Sequence, residues 1–234
     1  WNFKDKVPSI VVLVEQGFGD HLQFGRYLSI LEQYADKIWV QCSPRANVFY
    51  TKYLTCNDPI ETDAEYGVPI CSLAKICDYI PSGDWLKEKY VRKPPSKTLD
   101  IGVTWSGNSA HGNNHYRSSK PGYFRILSKY GNLYTLNPTE ANTFGFTDLD
   151  SSGWDATIKE LSKLDLVICV DTSIAHLCGS LGMECWCIMP LQDSDYRWGD
   201  SSMGFSNVWY DSVKVIRNPG SWETALDIVS KLLE

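Results

Sequence analysis

The chain has 234 residues, of which 43% are hydrophobic, so it can fill one large core or two small ones. Its net charge of −6 and pI near 5.3 leave no broad basic surface, which excludes nucleic acid from the expected partners. The longest apolar stretches, such as residues 10–14 and 166–170, are far shorter than the roughly 20 residues of a membrane-spanning helix. We therefore expect a globular protein without a membrane span.

The eight cysteines are scattered and mostly lie in apolar segments. A chain of this size does not need disulfides for stability, so we expect reduced, buried thiols and a cytoplasmic location. Cys185 and Cys187 have the spacing of two side chains on one face of a strand, although their residue types also suit half of a metal site. Because no second Cys/His pair completes a tetrahedral zinc site, packing is the favoured interpretation and we expect no metal.

The first part of the chain alternates predicted strands and helices. A continuous apolar, β-branched run at 9–14 predicts a strand that is covered on both faces. Two glycines then lead into a predicted amphipathic helix over 21–34, which is followed by a strand over 37–42 and by a helix that begins at Pro44. Residues 58–83 carry only short apolar pieces and turn signals, and they predict no clear element.

A second alternating region follows residues 92–97, a charged segment with two prolines that has the composition of an interdomain linker. The predicted strands lie at 99–105, 133–136, 165–170, 184–189 and 213–216, and the predicted helices at 121–129, 155–161, 173–181 and 221–233. Gly182 is expected to cap the helix 173–181 at its C-terminus. The whole pattern predicts an α/β protein with two doubly wound, Rossmann-like domains, 1–92 and 98–234.

Ligands of doubly wound sheets bind beyond the carboxyl ends of the strands, and the strongest candidate site follows the strand 165–170. Asp171, Thr172 and Ser173 stand there at a helix start, where unpaired N–H groups and a partial positive charge suit a phosphate. Thr172 and Ser173 offer hydroxyl donors, and Asp171 offers an acceptor for a sugar or ribose hydroxyl. The alternative is an N-cap that satisfies only its own helix, with His176 as a packed helical side chain.

The turn after the first strand is the second candidate. Gly17 and Gly19 suggest the dinucleotide fingerprint, but Leu22 replaces the third glycine of that pattern, which disfavours an NAD site of this type. What remains is a tight turn that lets a ligand approach the backbone, with the carboxylate of Asp20 at a helix start. Asp20 suits a general base, whereas from the residues alone simple helix capping is the favoured interpretation.

Two polar segments complete the candidates. The segment 106–118 carries His111, His115 and Arg117, and a loop this polar is either functional or merely solvated. Arg117 has the planar guanidinium that binds a diphosphate with two hydrogen bonds. The segment 193–198, Asp-Ser-Asp-Tyr-Arg-Trp, offers an aromatic wall for a base or a sugar, or else anchors a loop to the core.

Four blocks of the sequence, in order, resemble the glycosyltransferase-like domains that follow tetratricopeptide repeats in bacterial proteins, which are themselves similar to lipopolysaccharide heptosyltransferases. The resemblance covers about residues 9–232, and four ordered blocks are more specific than any one of them alone. The blocks are Gly17-Phe-Gly-Asp-His-Leu-Gln-Phe-Gly-Arg-Tyr27, Ile101-Gly-Val-Thr-Trp-Ser-Gly-Asn108 with Arg117-Ser118, Leu164-Asp-Leu-Val-Ile-Cys-Val-Asp-Thr-Ser-Ile-Ala-His-Leu-Cys-Gly179, and Tyr196-Arg-Trp198.

The resemblance implies a GT-B fold, in which the second domain binds the donor, the first binds the acceptor, and the final helix packs back across the cleft. It implies that Asp20 is the general base. The residues implied at the donor are Asp171, Thr172, Ser173, His176, Arg117, Ser106 and Asn108. Those implied on the acceptor side or in the cleft are Gly17, Gly19, His21, Gln23, Arg197 and Trp198.

The sequence departs from heptosyltransferases at two places. Those enzymes usually carry glycine at the position of Ser173. They also carry a lysine phosphate contact between the two motifs, for which Arg117, with Lys120 behind it, is the nearest substitute here.

The resemblance implies a glycosyltransferase that moves a sugar from a nucleotide-diphosphate sugar to an acceptor hydroxyl with inversion, without a metal or a further cofactor. The implied acceptor is a carbohydrate, a lipid-linked glycan or a protein. Two other functions stay open. One is a catalytically inactive module that binds sugar nucleotides or glycans, and the other is a nicotinamide-dependent oxidoreductase, which Leu22 disfavours.

Overall fold

Two sheets of parallel strands organise the structure, one in each of two units. The computed structural model describes residues 1–15, 17–94, 96–137, 144–190, 192–217 and 219–234. By its internal contacts the chain divides into a first unit, Trp1–Trp85, and a second unit, Leu86–Glu234. The α/β class and the parallel sheets are confirmed, whereas the linker at 92–97 and the GT-B arrangement of two domains stay predictions.

The sheet of the first unit has the strand order β3-β2-β1-β4, and its neighbours pair in parallel. Its strands are β1 (Val7–Leu13), β2 (Ala35–Gln41), β3 (Leu54–Cys56) and β4 (Tyr66–Pro69). In the central strand β1, Ile10 and Val12 are fully buried, as the continuous apolar run predicts. The sequence analysis missed β3 and β4, because so few residues leave no apolar pattern to detect.

The helix predicted over 21–34 is wrong in its extent. The pieces found are α1 (Phe18–Phe24), a 3-10 turn at Gly25–Tyr27 and α2 (Leu28–Leu31). Side chains take two of the carbonyls that a continuous α-helix needs. Trp85 Nε1 donates to Leu22 O at 2.8 Å, and Arg26 Nε donates to the carbonyl of Gln23 at 2.7 Å. The regular hydrogen-bond ladder is therefore interrupted where α1 ends.

The sheet of the second unit has the order β10-β9-β8-β5-β6-β7, again with parallel neighbours. Its strands are β5 (Leu99–Thr104), β6 (Gly131–Thr135), β7 (Thr147–Asp148), β8 (Leu166–Val170), β9 (Cys185–Ile188) and β10 (Val213–Ile216). The strands match the predicted ones to within two residues, except for β7, which is too short to predict.

The helices of the second unit are α3 (Asn114–Arg117), α4 (Pro121–Phe124), α5 (Trp154–Leu161), α6 (Ser173–Leu181) and α7 (Trp222–Leu233). The prediction of α6 is confirmed at both ends, since Thr172 caps its start and Gly182 follows it with φ 71. The sequence analysis missed α3, because four polar residues carry no apolar periodicity.

Several predicted helical segments are 3-10 rather than α. The 3-10 segments outside α1 and α2 are Pro44–Tyr50, Pro59–Glu61, Ile70–Lys75, Lys87–Lys89, Arg125–Lys129, Tyr196–Trp198 and Ser201–Met203. The helix expected at Pro44 and the second half of the helix expected over 121–129 are thus corrected. The buried residues are Ala46, Phe49 and Tyr50 in the first segment and Leu127 in the second.

Strand β8 is the centre of the second unit, and all five of its residues are buried. One face of β8 joins an apolar cluster with α7, which includes Leu166, Ile168, Val170, Ala225, Leu226 and Val229. The other face lies under α6, which packs against β8 and β9. Helices therefore cover both faces of the sheet, as a doubly wound sheet requires. These contacts lie within the second unit. That the final helix packs back across the cleft, as the resemblance implies, stays a prediction.

The eight cysteines are thiols. Cys185 and Cys187 alternate with Trp186, whose ring belongs to the cluster beneath α7, so both thiols face α6. Cys169 Sγ lies 3.6 Å from Cys185 Sγ, and burial raises the pKa of the Cys185 thiol, which stays protonated. Among the described residues, no group of three or more His, Cys, Asp or Glu side chains is arranged to hold a metal. Within the same part of the chain, no helix is long and apolar enough to cross a bilayer.

A partly buried ion cluster fastens the segment that was predicted as a linker. Lys93 binds the carboxylates of Asp100 and Asp165, the latter at 2.8 Å, and the three side chains are 16%, 21% and 15% exposed. Burial alone would raise the pKa of Asp100, but Lys93 and hydrogen bonds from Asn132 and Tyr134 hold it below its usual value. The cluster therefore ties this segment to the starts of β5 and β8.

We expect Lys93→Met to lower the free energy of unfolding at pH 7 by about 1.5 to 3 kcal/mol, since two close carboxylates then lack their cation. Because the pKa of Asp100 is depressed, its contribution is present above the unfolded pKa and is lost as the pH falls through the folded value. The loss should therefore shrink at acid pH. Urea unfolding at pH 7 and at about pH 3 measures both.

The matched control for this prediction is Lys6→Met. Lys6 pairs with Asp36 on the surface, and the two side chains are 59% and 67% exposed, so the removal of Lys6 is expected to cost less than about 0.5 kcal/mol. Equal losses in the two variants would show that the Lys93 cluster contributes no more than a surface pair.

Candidate functional site

The candidate site lies where β8 ends and α6 begins. Asp171 follows β8 directly, Thr172 is the N-cap of α6, and Ser173 opens the helix. Thr172 Oγ1 accepts a hydrogen bond from Ile174 N at 3.4 Å, so this residue does cap its own helix. Its hydroxyl hydrogen can still donate, and the helix start still presents backbone N–H groups. Capping and ligand binding are therefore compatible at this position.

The carboxylate of Asp171 is half-buried and hydrogen-bonded. Its Oδ1 accepts from Trp198 Nε1 at 3.0 Å. Burial is the main cause that raises the pKa of Asp171 to about 6. The hydrogen bond from Trp198 and the charge of Arg117 act in the opposite direction, whereas the charge of Asp195 adds to the rise. The group is thus mostly ionised at pH 7 but lies close to its titration.

Arg117, at the end of α3, lies beside the backbone of Asp171. Its Nη1 donates to the Asp171 carbonyl at 3.1 Å, and its Nε donates to Asn114 Oδ1 at 3.4 Å. Gly107 makes this approach possible, because a Cβ there would lie 2.7 Å from Arg117 Nη2 and 3.0 Å from Thr172 Cγ2. The structure thus brings together Arg117, Asp171 and Thr172, which the sequence analysis singled out, and adds Gly107, which it did not.

Ser106 and Asn108, the other residues predicted to bind the donor sugar nucleotide, lie in different surroundings. Ser106 Oγ accepts from Asn137 Nδ2 at 3.3 Å, and Asn137 Oδ1 accepts from Trp105 N at 2.8 Å. Asn137, which the sequence analysis missed, therefore holds the start of the loop after β5; its signal was a polar side chain directly after a predicted strand. Asn108 is exposed, and its Oδ1 accepts from Ala110 N at 3.0 Å within its own turn.

An aromatic group packs on α6 behind Asp171. The ring of His176 stacks on Trp198 with centroids 4.8 Å apart, and His176 Nδ1 lies 3.0 Å from Tyr210 OH. Trp198 is 1% exposed and anchors its loop to the core, whereas Tyr196 is 88% exposed. Of the two interpretations of the segment 193–198, core anchoring therefore holds for Trp198. The sequence analysis missed Tyr210, whose only signal was a pair of aromatic residues before β10.

Arg197, predicted for the acceptor side or the cleft, is engaged within the second unit. Its Nη2 lies 2.6 Å from Asp195 Oδ2 in an ion pair, and its carbonyl accepts from Trp209 Nε1 at 2.7 Å. Burial would raise the pKa of Asp195, but its hydrogen bonds with Arg197 hold it below the usual value. This carboxylate therefore stays ionised and paired beside Asp171.

The predicted residues of the first unit gather at the start of α1. Gly17 is the N-cap of α1, and its carbonyl accepts from Asp20 N at 2.9 Å. Gly19 lies in the first turn, and Asp20 is half-buried next to it. Since Gly17 offers no capping side chain, the helix start keeps its positive end beside the Asp20 carboxylate.

His21 and Gln23 are core residues of the first unit. They are 5% and 1% exposed, and His21 Nδ1 lies 2.9 Å from Tyr50 OH. Burial lowers the pKa of His21 to about 4, although the charge of Asp20 opposes this. His21 is therefore neutral at pH 7 and places no positive charge next to Asp20.

The fold is similar to that of solved bacterial glycosyltransferases. A structure described as the dodecameric, iron-containing heptosyltransferase TibC in complex with ADP-D-β-D-heptose matches with a TM-score of 0.57 and 9% identity, over 98% of this chain and 78% of that chain. Another of TibC, from enterotoxigenic E. coli H10407, has a TM-score of 0.62 and 10% identity, with 97% and 76% covered. The E. coli heptosyltransferase WaaC with ADP-2-deoxy-2-fluoro heptose has a TM-score of 0.58 and 12% identity, with 96% and 98% covered.

No protein-family model and no curated protein matches the chain. At these identities the likeness to solved structures shows the fold alone, a mixed α/β architecture with parallel sheets that fits a Rossmann-like fold. The roles of the individual site residues and the association with tetratricopeptide repeats stay predictions.

We expect the stability of the chain to depend on pH through His21. Its pKa of about 4 lies below the ordinary 6.5, so the unfolded state binds the proton first, and stability is lost as the pH falls from 6.5 toward 4. Between pH 7 and pH 5 this group alone should remove about 2 kcal/mol. His21→Gln should shrink the loss between these two pH values by that amount, measured by urea unfolding. Identical losses in wild type and variant would contradict the buried, neutral state of His21.

Proposed function

We propose that the chain transfers a sugar from a nucleotide-diphosphate sugar to an acceptor hydroxyl, with inversion. The observation that carries this proposal is the convergence of the Asp171 carboxylate, the Arg117 guanidinium and the start of α6 at one edge of the second sheet. The glycosyltransferase fold supports the reaction class. One neighbour is described as a complex with ADP-heptose, which supports the class of donor.

In this proposal the second unit binds the donor. The diphosphate lies over the start of α6, where backbone N–H groups, the hydroxyls of Thr172 and Ser173, and the helix charge offer stabilisation. Arg117 adds a cation from the loop after β5. Asp171 accepts a hydrogen bond from a hydroxyl of the sugar or the ribose. Negative charge that develops on the leaving diphosphate meets fixed donors, which is the arrangement that stabilises such a transition state.

The first unit supplies the general base. Asp20 removes the proton from the acceptor hydroxyl, and the oxygen attacks the anomeric carbon opposite the leaving diphosphate. The new glycosidic bond forms as the bond from carbon to diphosphate oxygen breaks, so the configuration inverts. His21, next to Asp20 in α1, is neutral at pH 7 because burial lowers its pKa to about 4. The acceptor is a carbohydrate, a lipid-linked glycan or a protein.

We expect Asp171→Ala and Asp20→Asn to fail in different ways. Asp171→Ala should raise the donor Kd roughly tenfold or more, since a hydrogen bond to a charged group is worth about 1.5 to 3 kcal/mol. Asp20→Asn should leave the donor Kd nearly unchanged and abolish transfer. The donor is the nucleotide-diphosphate sugar that most raises Tm in a thermal-shift screen, calorimetry gives Kd, and release of the nucleotide diphosphate gives turnover. Asp171→Asn, which keeps an oxygen for Trp198, controls for lost packing.

Other outcomes would change the proposal. Unchanged donor affinity in Asp171→Ala would place the nucleotide elsewhere. Equal loss of affinity in both variants would make Asp20 a binding or structural residue. Donor binding by the wild type with neither transfer nor donor hydrolysis would favour the inactive binding module. Hydride transfer to a nicotinamide cofactor would favour the oxidoreductase.

In this proposal Arg117 and the start of α6 stabilise the negative charge of the diphosphate, and the reaction uses no metal and no further cofactor. TibC is described as iron-containing, whereas the described residues of this chain include no group of three or more side chains arranged to hold a metal. We therefore expect the transfer rate to survive dialysis against EDTA. A rate that falls and is restored by Fe²⁺ or Mg²⁺ would show that the reaction needs a metal.

A further inference from the structure

The Asp171 carboxylate is oriented by one residue from a distant loop. Trp198 Nε1 donates to Oδ1 at 3.0 Å, and among the described residues no other side chain donates to this carboxylate. A carboxylate has two oxygens, and each accepts along its own lone pairs. With Oδ1 bonded to the indole, Oδ2 is the oxygen that remains to accept from a ligand hydroxyl.

Trp198 is itself held from several sides. It is 1% exposed, and its ring stacks on His176 and lies 6.1 Å from the ring of Tyr210. Its backbone N–H donates to Asp195 O at 3.2 Å, and its carbonyl accepts from Arg217 Nη2. The indole is therefore fixed in the direction of Asp171.

Tyr210 ties this group to α6. Its ring lies against Gly179, where a Cβ would come within 2.3 Å of Tyr210 Cδ1, and its hydroxyl lies 3.0 Å from His176 Nδ1. Any side chain at position 179 would push Tyr210 away from the helix. The helix whose start forms the candidate site thus also carries the support of the indole.

We propose that Trp198 is the positioning residue of Asp171: its indole N–H fixes the carboxylate so that one oxygen meets a donor hydroxyl, while His176 and Tyr210 hold the indole. This inference deepens the proposed function and rests on it for the identity of the ligand. Trp198 acts only through Asp171, so it touches neither sugar nor diphosphate.

The titration of Asp171 offers a readout that needs no ligand. The hydrogen bond from Trp198 lowers the pKa of Asp171, against the larger effect of burial. The other groups near this carboxylate are Arg117, which lowers its pKa, Asp195 and Cys169, which raise it, and the Cys187 thiol, whose own pKa Asp171 helps to raise. His176 lies behind the indole. Loss of the indole N–H should therefore raise the titration midpoint of Asp171 alone.

The test is Trp198→Phe, which keeps an aromatic ring and removes the N–H donor. In protein labelled with ¹³C at the Asp carboxyls, the Asp171 signal, assigned with Asp171→Asn, should titrate near pH 6 in the wild type and about one pH unit higher in the variant. At pH 7 the donor Kd should rise roughly three- to tenfold, and this rise should vanish when both proteins carry Asp171→Ala, which removes the acceptor of the indole N–H. Trp209→Phe, which removes the indole N–H that bonds to Arg197 O, should change neither.

The titration midpoint of Asp171 and the donor Kd separate the possible outcomes. An unmoved midpoint in Trp198→Phe would overturn the proposal, as would a rise in donor Kd that persists in the Asp171→Ala background. If the wild type binds no nucleotide sugar while the midpoint still moves, the proposed function fails and the coupling of Trp198 to Asp171 stands. If Trp198→Phe does not fold by circular dichroism, Tyr210→Phe should raise the midpoint in the same direction by a smaller amount, and an unchanged midpoint there would overturn the proposal.

Discussion

The order of the strands in the second unit is the constraint on which the candidate site depends. In the order β10-β9-β8-β5-β6-β7, the chain runs outward from β5 to β7 and then returns to β8 on the other side of β5. Loops that leave two such strands diverge and open a crevice at the carboxyl edge of the sheet. Gly107 and Arg117 come from the loop after β5, and Asp171 and Thr172 from the end of β8. Their contacts are a consequence of topology, since no local pattern links the two segments.

A carboxylate at this edge loses part of its hydration, and the neighbours of Asp171 compensate for that loss only in part. Arg117 donates to the carbonyl of Asp171 rather than to its carboxylate, and Trp198 supplies one neutral donor, so the pKa stays raised. Asp195 shows the contrast, because the Arg197 guanidinium binds it directly and lowers its pKa. Asp195 is therefore held in an ion pair with Arg197, whereas the Asp171 carboxylate accepts from Trp198 and, in the part of the chain that the structure describes, from no other side chain.

The sequence predicts best those elements whose pattern is local. The buried strand β8, the helix α6 and its glycine cap follow from an apolar run, a polar helix start and Gly182. The helix over 21–34 fails because Trp85, far along the chain, takes a carbonyl of the last α-helical turn. The same distinction applies to the residues of the candidate site. Asp171 and Arg117 can be predicted from their residue types and local sequence. The roles of Asn137 and Tyr210 depend on contacts with residues far away in the sequence.

Under the proposed function, each of the two departures from heptosyltransferases supplies a hydrogen-bond donor to the phosphate groups. A glycine at position 173 would let a phosphate approach the backbone closely, whereas Ser173 adds a hydroxyl donor at the same place. A lysine would bring a point charge, whereas Arg117 brings a planar fork whose position is fixed by the Asp171 carbonyl. Asp171 then holds the phosphate-binding group through its carbonyl and a sugar or ribose hydroxyl through its carboxylate. In this proposal Asp171, at the end of β8, sets the distance between the diphosphate and a donor hydroxyl and thereby orients the bond that breaks.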